Sequence, residues 1–270
     1  MNIEEFLEQK APLIDAAIEK YIPRKFTKNS ILFRVNPPLH SYNLEPLNKA
    51  IADPIWDMLD RGGKRWRPAL FLLICEALGK KSDYCLDFSI IPEVIHNGTL
   101  VIDDIEDSSE LRRGKPCTYK IFEMDIAVNA GNAMYYLPLL PLIAQRKKLT
   151  PKVQREVYEI YIQEMINLSM GQAMDIAWHK GIANADELGE NDYLQMCAYK
   201  TCTLARMSAK IAAVNSRYRR SVAAAFATSL LARASVISLH TSWSFQTRGP
   251  ASTVQPAKVL LCTMRPSLFM

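Results

Sequence analysis

Residues 90–107 read IIPEVIHNGTLVIDDIED, an apolar stretch that ends in a cluster of acids. The apolar residues predict a helix that runs through a core and carries charge mainly at its end. Asp103 and Asp107 are four residues apart, so a helix places them on one face with Asp104 beside them. Carboxylates at this density repel one another unless a cation lies between them, and all-oxygen ligands suit Mg²⁺. An acidic helix end on a solvated surface is the alternative interpretation of these acids alone.

A polar stripe on the same helix argues against that alternative. Counting back from Asp103, one helical turn leads to Thr99 and two turns lead to His96, on nearly the same face. The residues around this stripe are strongly apolar. Buried polar groups need partners, and a ligand pocket supplies them. The stripe therefore favours a binding site over an exposed helix end.

Helical periodicity extends over most of the chain. Apolar positions recur at intervals of three and four, and the predicted helices cover 3–21, 44–59, 67–79, 84–107, 118–144, 151–180 and 192–214. Gly is scarce, with 10 of 270 residues, whereas roughly 7% is average. The apolar content of 49% suffices for a real core. These features predict an all-α bundle of long helices over residues 1–214.

The net charge of +5 comes from the C-terminal part of the sequence. Residues 215–270 contain seven Lys or Arg, nine Ser and no acid, so the remaining 26 bases face 28 acids. A role in nucleic-acid binding would rest on this stretch alone, because the rest of the chain is slightly acidic. We therefore expect no nucleic-acid partner.

No targeting or membrane-spanning segment is predicted. The N-terminus is acidic and amphipathic, unlike a signal peptide. The longest apolar run in residues 1–214, Ala69 to Cys75, has seven residues, whereas about 20 are needed to span a bilayer. The cysteines at positions 75, 85, 117, 197, 202 and 262 form no CxxC pair, which is typical of reduced thiols. We expect a cytoplasmic protein without an integral membrane segment.

A basic segment, RGGKRWRP at residues 61–68, is the second signal. Its two glycines allow the backbone to approach an anion closely, and the Lys and Arg that follow offer several donors. The GxxxxGK[ST] spacing of a P-loop is absent. Alone the segment is a weak indication of phosphate binding, but another basic pair lies at Arg112 and Arg113. Two basic clusters and one acidic cluster together predict a site for two diphosphates.

Polar residues also interrupt two later helices. Gln172, Asp175 and His179 form a polar stripe at i, i+3 and i+7, and Lys200 and Thr201 interrupt a Met- and Ala-rich helix. Each alone is more often a satisfied core residue or a lysine whose charged end reaches solvent. They become candidates for a site only together with the other motifs.

Taken in order, these motifs resemble those of the trans-isoprenyl diphosphate synthases, the polyprenyl synthetase family. The resemblance covers about residues 1–214 and comprises GGKRWRP at 62–68, His96 ahead of DDxxD at 103–107, RRGKP at 112–116, GQxxD at 171–175 and Lys200-Thr201. It implies an all-α isoprenoid synthase (type I terpenoid synthase) fold, a homodimer and Mg²⁺ as cofactor. The implied reaction joins isopentenyl diphosphate to an allylic diphosphate, which can be dimethylallyl, geranyl or farnesyl diphosphate.

The resemblance also implies a role for each matched residue. Asp103 and Asp107 would hold Mg²⁺ against the allylic diphosphate, with Asp104 in support. Arg112 and Lys200 would clamp the same diphosphate. The residues that would hold isopentenyl diphosphate are Gly63, Lys64, Arg67, His96 and Arg113. The residues that would lie near the reacting carbons are Gln172, Asp175 and Thr201.

Product length in this family depends on pocket depth below the first Asp of DDxxD. Thr99 and Gly98 lie four and five residues before Asp103, and both are small. We therefore expect a geranylgeranyl or longer product, and a Phe at either position should shorten it. A terpene cyclase shares the fold and DDxxD, but it handles one diphosphate and does not need the basic segment at 62–65 or Arg113.

The chain departs from the family pattern after the Lys200-Thr201 motif. The family carries a second Asp-rich motif there, whereas the last acid of this sequence is Asp192. Cys202 also stands where the family commonly has Gly. We expect the helical domain to cover 1–214 and residues 215–270 to form an atypical basic tail, so that part of the bundle is incomplete. The chain as written is then expected to have little or no turnover.

Three interpretations of residues 215–270 stay open. A frameshift or gene disruption near residue 214 could have replaced the native C-terminal helices. The tail could instead be native but divergent, with a helix over 222–239 packing on the bundle or a membrane surface. Finally, the chain could be a non-catalytic subunit that relies on the second motif of a partner. The two other reading frames beyond codon 214 distinguish the first interpretation, because it predicts a DDxxD helix in one of them.

Overall fold

The computed structural model describes residues 2–41, 43–184 and 187–216, so the predictions for the tail beyond 216 lie outside the described residues. The α-helices of this part are α1 Ile3–Tyr21, α2 Ile31–Val35, α3 Leu44–Leu47, α4 Asp53–Asp60, α5 Trp66–Ala77, α6 Ser82–Glu106, α7 Thr118–Ile121, α8 Met124–Tyr136, α9 Leu140–Ala144, α10 Pro151–His179, α11 Glu190–Tyr199 and α12 Thr203–Asn215. A π-helical turn covers Asn48–Ala52 and a 3₁₀ turn covers Leu137–Leu139. The prediction of an all-α fold is confirmed.

Helix α6 is the central element of the bundle. It packs against α5, α8, α1 and α12. Its residues Ile90, Ile91, Val94 and Ile95 are fully buried, and each such side chain contributes roughly 1.5–3 kcal/mol when it is removed from water. Because the helix crosses the core, the polar residues on it face neighbouring helices instead of bulk water.

Two predicted helices are broken in the structure. The helix expected over 118–144 is divided, because Glu123 adopts a φ of 70° at the start of α8 and prolines begin both the 3₁₀ turn and α9. A proline lacks the amide hydrogen that a helix interior needs. The helix expected over 192–214 is divided at residues 200–202, between α11 and α12. The second break positions Lys200.

A two-residue hairpin follows α6. Its strands are β1 Leu111–Arg112 and β2 Lys115–Pro116, paired antiparallel with Arg112 opposite Lys115. Arg113 has φ of 52° and Gly114 has φ of 75°. Two successive residues with positive φ are the geometry of a tight hairpin turn, and glycine adopts it without strain. The hairpin holds Arg112 and Arg113 beside the end of α6.

The segments Cys85–Glu106 and Met124–Ala144 are long and apolar enough to cross a membrane by length and composition alone. Core helices of soluble proteins satisfy the same criterion, and 67% of the first segment's most apolar window is buried inside the bundle. The second segment is interrupted by the 3₁₀ turn at Leu137–Leu139. Burial in the bundle accounts for the apolar character of the first segment.

Candidate active site

The C-terminal end of α6 faces α10 across a set of polar side chains. We call the acidic region the set Asp103, Glu106, Asp107, Gln172 and Asp175. Gln172 Nε2 donates to Asp103 Oδ1 at 3.0 Å and to Glu106 Oε2 at 2.6 Å. The glutamine therefore ties two acids of α6 to α10. Glu106 is a contact residue that the sequence motif contained but did not single out.

Lys200 supplies the positive charge of the acidic region. Its Nζ lies 3.4 Å from Asp103 Oδ1 and forms an ion pair with Asp175. Burial lowers the pKa of Lys200, but the charges of Asp103 and Asp175 outweigh it and raise the pKa overall. The ammonium group is thus held charged between acids from two helices, and residues separated by 97 positions in the sequence meet at one place.

Two acids of this region, Glu106 and Asp107, have a raised pKa. Burial, followed by the charge of Asp103, raises the pKa of Asp107. Burial also raises the pKa of Glu106, and Asp103 adds to it against the opposing hydrogen bond from Gln172. Burial is the largest cause of both shifts, and the charge of Asp103 is a smaller one. A divalent cation would stabilise the ionised forms of both acids.

Asp104 and Arg112 pair with each other. Asp104 is 1% exposed, and Arg112 Nε donates to its Oδ1 at 2.9 Å. The resemblance places Asp104 beside the metal ligands and Arg112 on the allylic diphosphate. In the structure Asp104 lies on the buried side of α6, and its pairing ties the hairpin to this helix. Arg61 reinforces this link, because its guanidinium donates to the carbonyl of Arg112 at 3.1 Å.

A second group of side chains gathers around His96, which lies two turns earlier on α6. We call the cationic region the set Gly63, Arg67, His96 and Arg113. Arg67 is 7% exposed, and its Nε has no hydrogen-bond partner among the described residues. Burial lowers the pKa of Arg67 to about 10, and the charge of Arg113 also lowers it. An arginine that is buried, charged and incompletely bonded is a ready donor for an anion.

His96 and Arg113 complete this electrostatic arrangement. Burial, together with the charges of Arg67 and Arg113, lowers the pKa of His96 well below its ordinary value. His96 is therefore neutral near pH 7 and can both donate and accept a hydrogen bond. Arg113 donates to the carbonyl of Gly62. At Gly63, where φ is 141°, a Cβ atom would lie 3.4 Å from Arg113 Nη2, so the absence of a side chain keeps the arginine accessible.

The two bases of the GGKR segment, Lys64 and Arg65, lie in different environments. Lys64 is exposed. Arg65 turns inward, where its Nε donates to Asp15 at 2.8 Å and its Nη1 to Glu93 at 3.1 Å. Glu93, 3% exposed, was not predicted as important. Arg65 therefore fastens the segment to α1 and α6, and Lys64 and Arg67 remain for an anion.

Gly98 and Thr99 lie between the two regions. A Cβ atom at Gly98 would lie 2.8 Å from Met134 Cβ and 3.0 Å from the carbonyl oxygen of Gly131 on α8. Gly98 is thus a close contact between two helices. Thr99 is partly exposed, and its hydroxyl donates to the carbonyl of His96 at 2.7 Å.

Thr201 and His179 lie at the edge of the acidic region. Thr201 is exposed in the turn after Lys200, and no side-chain hydrogen bond of it is found within the described part of the chain. His179 ends α10, and its effect on the pKa of Asp107 places it near that acid. Tyr135 is a residue that sequence reasoning missed. Its ring would lie 3.3 Å from a Cβ at Gly98, and burial and then Glu106 raise its pKa.

The fold and the site define a class of protein: all-α bundles whose central helix carries an acidic cluster at its end and adjoins a cationic pocket two turns earlier. The model of the polyprenyl synthetase family matches residues 48–236. The chain belongs to this family, whose predicted resemblance is thereby confirmed.

Individual relatives agree with the family. A geranylgeranyl pyrophosphate synthase of Geoglobus acetivorans is 34% identical over 156 residues, which are 58% of this chain and 47% of the relative. One from Metarhizium anisopliae is 32% identical over 174 residues, 64% of this chain and 49% of the relative. The chain spans about half the length of the curated relatives it matches.

Solved structures show the same fold. The geranylgeranyl pyrophosphate synthetase of Geoglobus acetivorans superposes with a TM-score of 0.64 at 28% identity and covers 77% of this chain and 59% of that one. An FPP/GFPP synthase from Zymomonas mobilis gives a TM-score of 0.68 at 22% identity, with 97% and 88% covered. The second likeness concerns the fold alone.

Proposed function

We propose that the site binds two diphosphates and condenses isopentenyl diphosphate with an allylic diphosphate, the reaction of a trans-prenyltransferase. The observation that carries the proposal is the pair of regions along α6, to which this helix contributes Asp103 and His96. His96 and Asp103 are seven residues apart, about 10 Å along a helix. A cationic pocket and an acidic region at this separation suit two anions that bind by different means and meet head to tail.

In this proposal the cationic region holds isopentenyl diphosphate. Arg67 and Arg113 donate to its phosphates, neutral His96 adds a hydrogen bond, and Gly63 leaves the space open. Exposed Lys64 adds charge at the rim. An orientation fixed in this way brings the double bond to the reacting carbon and reduces the entropic part of the barrier.

The acidic region would hold the allylic diphosphate through Mg²⁺. Its donors are all oxygens, as a hard cation requires, and the raised pKa of Asp107 and of Glu106 reflects burial and the charge of Asp103, which a bound cation would offset. Within residues 2–41, 43–184 and 187–216, no three His, Cys, Asp or Glu side chains form a group tight enough to hold a metal ion. Asp103 and Asp107 would thus bind Mg²⁺ together with phosphate oxygens. The bound ion would supply charge stabilisation for the departing diphosphate.

The remaining residues of the region act on the leaving group. Lys200 donates to the diphosphate as the allylic C–O bond ionises, and Asp175 keeps its ammonium oriented. Gln172 holds Asp103 in place. Thr201, exposed beside Lys200, is proposed to face the substrate. In this proposal α6, α8 and α10 shield the carbocation from water, the double bond of isopentenyl diphosphate attacks it, and the departed diphosphate takes up the proton.

A geranylgeranyl or longer product remains our proposal, with Thr99 as the residue that tests it. Replacement of Thr99 by Phe is expected to shorten the product, whereas Thr99→Val preserves the shape and leaves the length unchanged. Gly98→Phe is a poor test, because its side chain would overlap α8. A product that ends at C15 in the unaltered pocket would contradict the proposal.

A homodimer is proposed from an exposed apolar stripe on α10. Tyr158, Ile162, Ile166 and Met170 follow one another at intervals of four residues and are between 36 and 55% exposed. Such stripes mark interaction surfaces. Replacing Ile162 and Ile166 by Glu is expected to convert dimer into monomer in sedimentation experiments, and an unchanged mass would refute this surface. The protein is further proposed to act in the cytoplasm.

The decisive experiment separates binding from turnover. Calorimetry of the pure chain with pyrophosphate and Mg²⁺ tests the two anion sites, and no heat would refute the proposal. Incubation with isopentenyl and allylic diphosphates, followed by sizing of the products, tests turnover. Because no acid follows Asp192, we expect little or no product, and robust condensation would contradict that expectation.

Two alternatives have distinct outcomes in the same assay. A non-catalytic subunit, or a chain whose native C-terminal part has been replaced after residue 214, would form product only with a full-length family member. A terpene cyclase would consume a single allylic diphosphate and ignore isopentenyl diphosphate. The buried, incompletely bonded Arg67 argues against the cyclase, since one diphosphate leaves this residue without a ligand.

A further inference from the structure

We infer that Glu164 and Arg206 are positioning residues for Lys200: together they hold the break between α11 and α12 so that the lysine reaches the acidic region. The inference rests on the proposed function, in which Lys200 contacts the diphosphate. Neither residue touches Asp103 or Asp175 in the structure.

Glu164 is a buried charge in the middle of α10. It is 0% exposed, and its carboxylate accepts from Arg206 Nη2 at 2.6 Å, from Arg206 Nε at 2.9 Å and from Lys210 Nζ at 2.7 Å. Burial by itself raises the pKa of Glu164, but the hydrogen bonds from these two bases outweigh it and lower the pKa. The carboxylate is therefore an ionised anchor for α12.

The remaining N–H groups of Arg206 donate to residues on both sides of the break between α11 and α12. Its Nη1 donates to the carbonyl of Ala198 at 2.9 Å, and its Nη2 donates to the hydroxyl of Thr203 at 3.0 Å. Ala198 belongs to the last turn of α11, and Thr203 is the first residue of α12. One planar guanidinium thus spans both sides of the turn that carries Lys200, an arrangement that the flexible lysine ammonium cannot reproduce.

The break leaves backbone groups that need these partners. In a continuous helix the carbonyl of Ala198 would accept from the amide of Cys202, but that amide bonds to Cys197 at 3.0 Å. Carbonyls at the end of a helix require another donor. Arg206 supplies it for Ala198, and the hydroxyl of Thr203 supplies it for Tyr199. The break is therefore stabilised by hydrogen bonds of its own.

One face of helix α10 carries the acid that binds α12, the glycine that the break touches and the acid that pairs with Lys200. Glu164, Gly171 and Asp175 are separated by seven and four residues, which is two turns and one turn of a helix. A Cβ atom at Gly171 would lie 2.7 Å from the carbonyl carbon of Tyr199, so the break touches α10 at the glycine. Glu164 fixes α12 on one side of this contact, and Asp175 receives Lys200 on the other.

The inference is tested by a double-mutant cycle that measures Mg²⁺–pyrophosphate binding by calorimetry. Arg206→Met is expected to weaken binding about tenfold, comparable to the loss of one hydrogen bond to a charged group. In the Lys200→Met background the same change is expected to have no further effect, because Arg206 acts through Lys200. Full additivity of the two losses would overturn the inference, as would wild-type binding by a folded Arg206→Met chain.

Hydrogen exchange provides a measurement that does not depend on the proposed function. In Arg206→Met the amides of residues 200–202 are expected to exchange at least tenfold faster, while those of α1 keep their wild-type rates. Unchanged exchange at the turn, or equal acceleration in both places, would overturn the inference. The proposed function fails if the wild-type chain binds no pyrophosphate, or if Lys200→Met binds it like the wild type. In either case the hydrogen-exchange data alone test whether Arg206 positions the turn.

Two further variants make the test robust. Glu159→Gln removes an exposed ion pair with Arg155 on the same helix, 3.6 Å long, and is expected to leave binding and exchange unchanged. Thr203→Val is a milder change than the loss of Arg206, since it removes only the hydroxyl that bonds to Arg206 and Tyr199. It should shift binding and exchange in the same direction by a smaller factor, and a wild-type result in both measurements would contradict the inference.

Discussion

The acidic region and the cationic region both adjoin helix α6 but solve opposite electrostatic problems. In the cationic region, burial lowers the pKa of Arg67 to about 10 and that of His96 well below its ordinary value, and the charge of Arg113 adds to both shifts. In the acidic region, burial and then the charge of Asp103 raise the pKa of Asp107, while Lys200 provides one compensating charge. The first region can therefore accept an anion directly, whereas the second gains most from a cation that brings the anion with it.

The largest expected effect comes from the acid that both Gln172 and Lys200 contact. Asp103→Asn should weaken Mg²⁺-dependent pyrophosphate binding by about 10- to 150-fold, because a hydrogen bond or contact to a charged group is worth about 1.5–3 kcal/mol. Metal-free binding at the cationic region should not change. Calorimetry with Mg²⁺ and with a chelator separates the two.

A matched control exists for this acid. Asp60 forms an exposed ion pair with Arg24 at 2.7 Å, and its side chain is 47% exposed. Asp60→Asn removes the same charge from a residue outside the acidic region and should leave Mg²⁺-dependent binding as in the wild type. If Asp103→Asn behaves like Asp60→Asn, the acidic region is not where a metal-bound diphosphate sits.

The contrast between the regions also marks how far the sequence predicts the structure. Periodicity indicates which face of a helix is buried, so the bounds of α1 and α10 agree with the predictions to within a residue. Local spacing likewise places Asp103 and Asp107 on one end of α6. Breaks are harder to predict, because the turn at Lys200 depends on the shape of Gly171 and on hydrogen bonds from other helices.

Contacts between residues that are distant in the sequence could not be predicted from local patterns. Glu164 and Arg206 are separated by 42 residues, and nothing in either local pattern indicates that they meet. Asp104 is a further case, since its place within DDxxD suggests a supporting role beside the metal ligands, and the structure pairs it with Arg112 on the buried side of α6. A motif identifies the residues that recur in a family. Which way each of their side chains faces depends on how the helices pack.

The second-largest expected effect is a difference in anion binding between variants of Arg67 and Lys64, two bases of the segment at residues 61–68. Arg67→Met should weaken metal-free pyrophosphate binding about tenfold or more, since Arg67 is buried and bonds to a charged ligand are worth at least about 1.5 kcal/mol. Lys64→Met removes an exposed charge worth about 0.2–1 kcal/mol, which corresponds to a factor of roughly five or less. Measurement uses calorimetry in the presence of a chelator. Equal losses in the two variants would show that the buried arginine is not part of an anion pocket.

The smallest effect is a difference in pH dependence. Because the pKa of Asp107 and of Glu106 is raised, protons compete with a cation at a higher pH than at ordinary carboxylates. Affinity for Mg²⁺ should therefore fall several-fold as the pH is lowered from about 7.5 to about 5.5, and Glu106→Gln should flatten this dependence. Sulfate, whose charge is constant in this range, should bind the cationic region with a much smaller pH dependence, since Arg67 stays charged and burial holds the pKa of His96 well below its ordinary value. Parallel pH profiles for Mg²⁺ and sulfate would mean that the two regions share one titrating group, and the contrast between them would be lost.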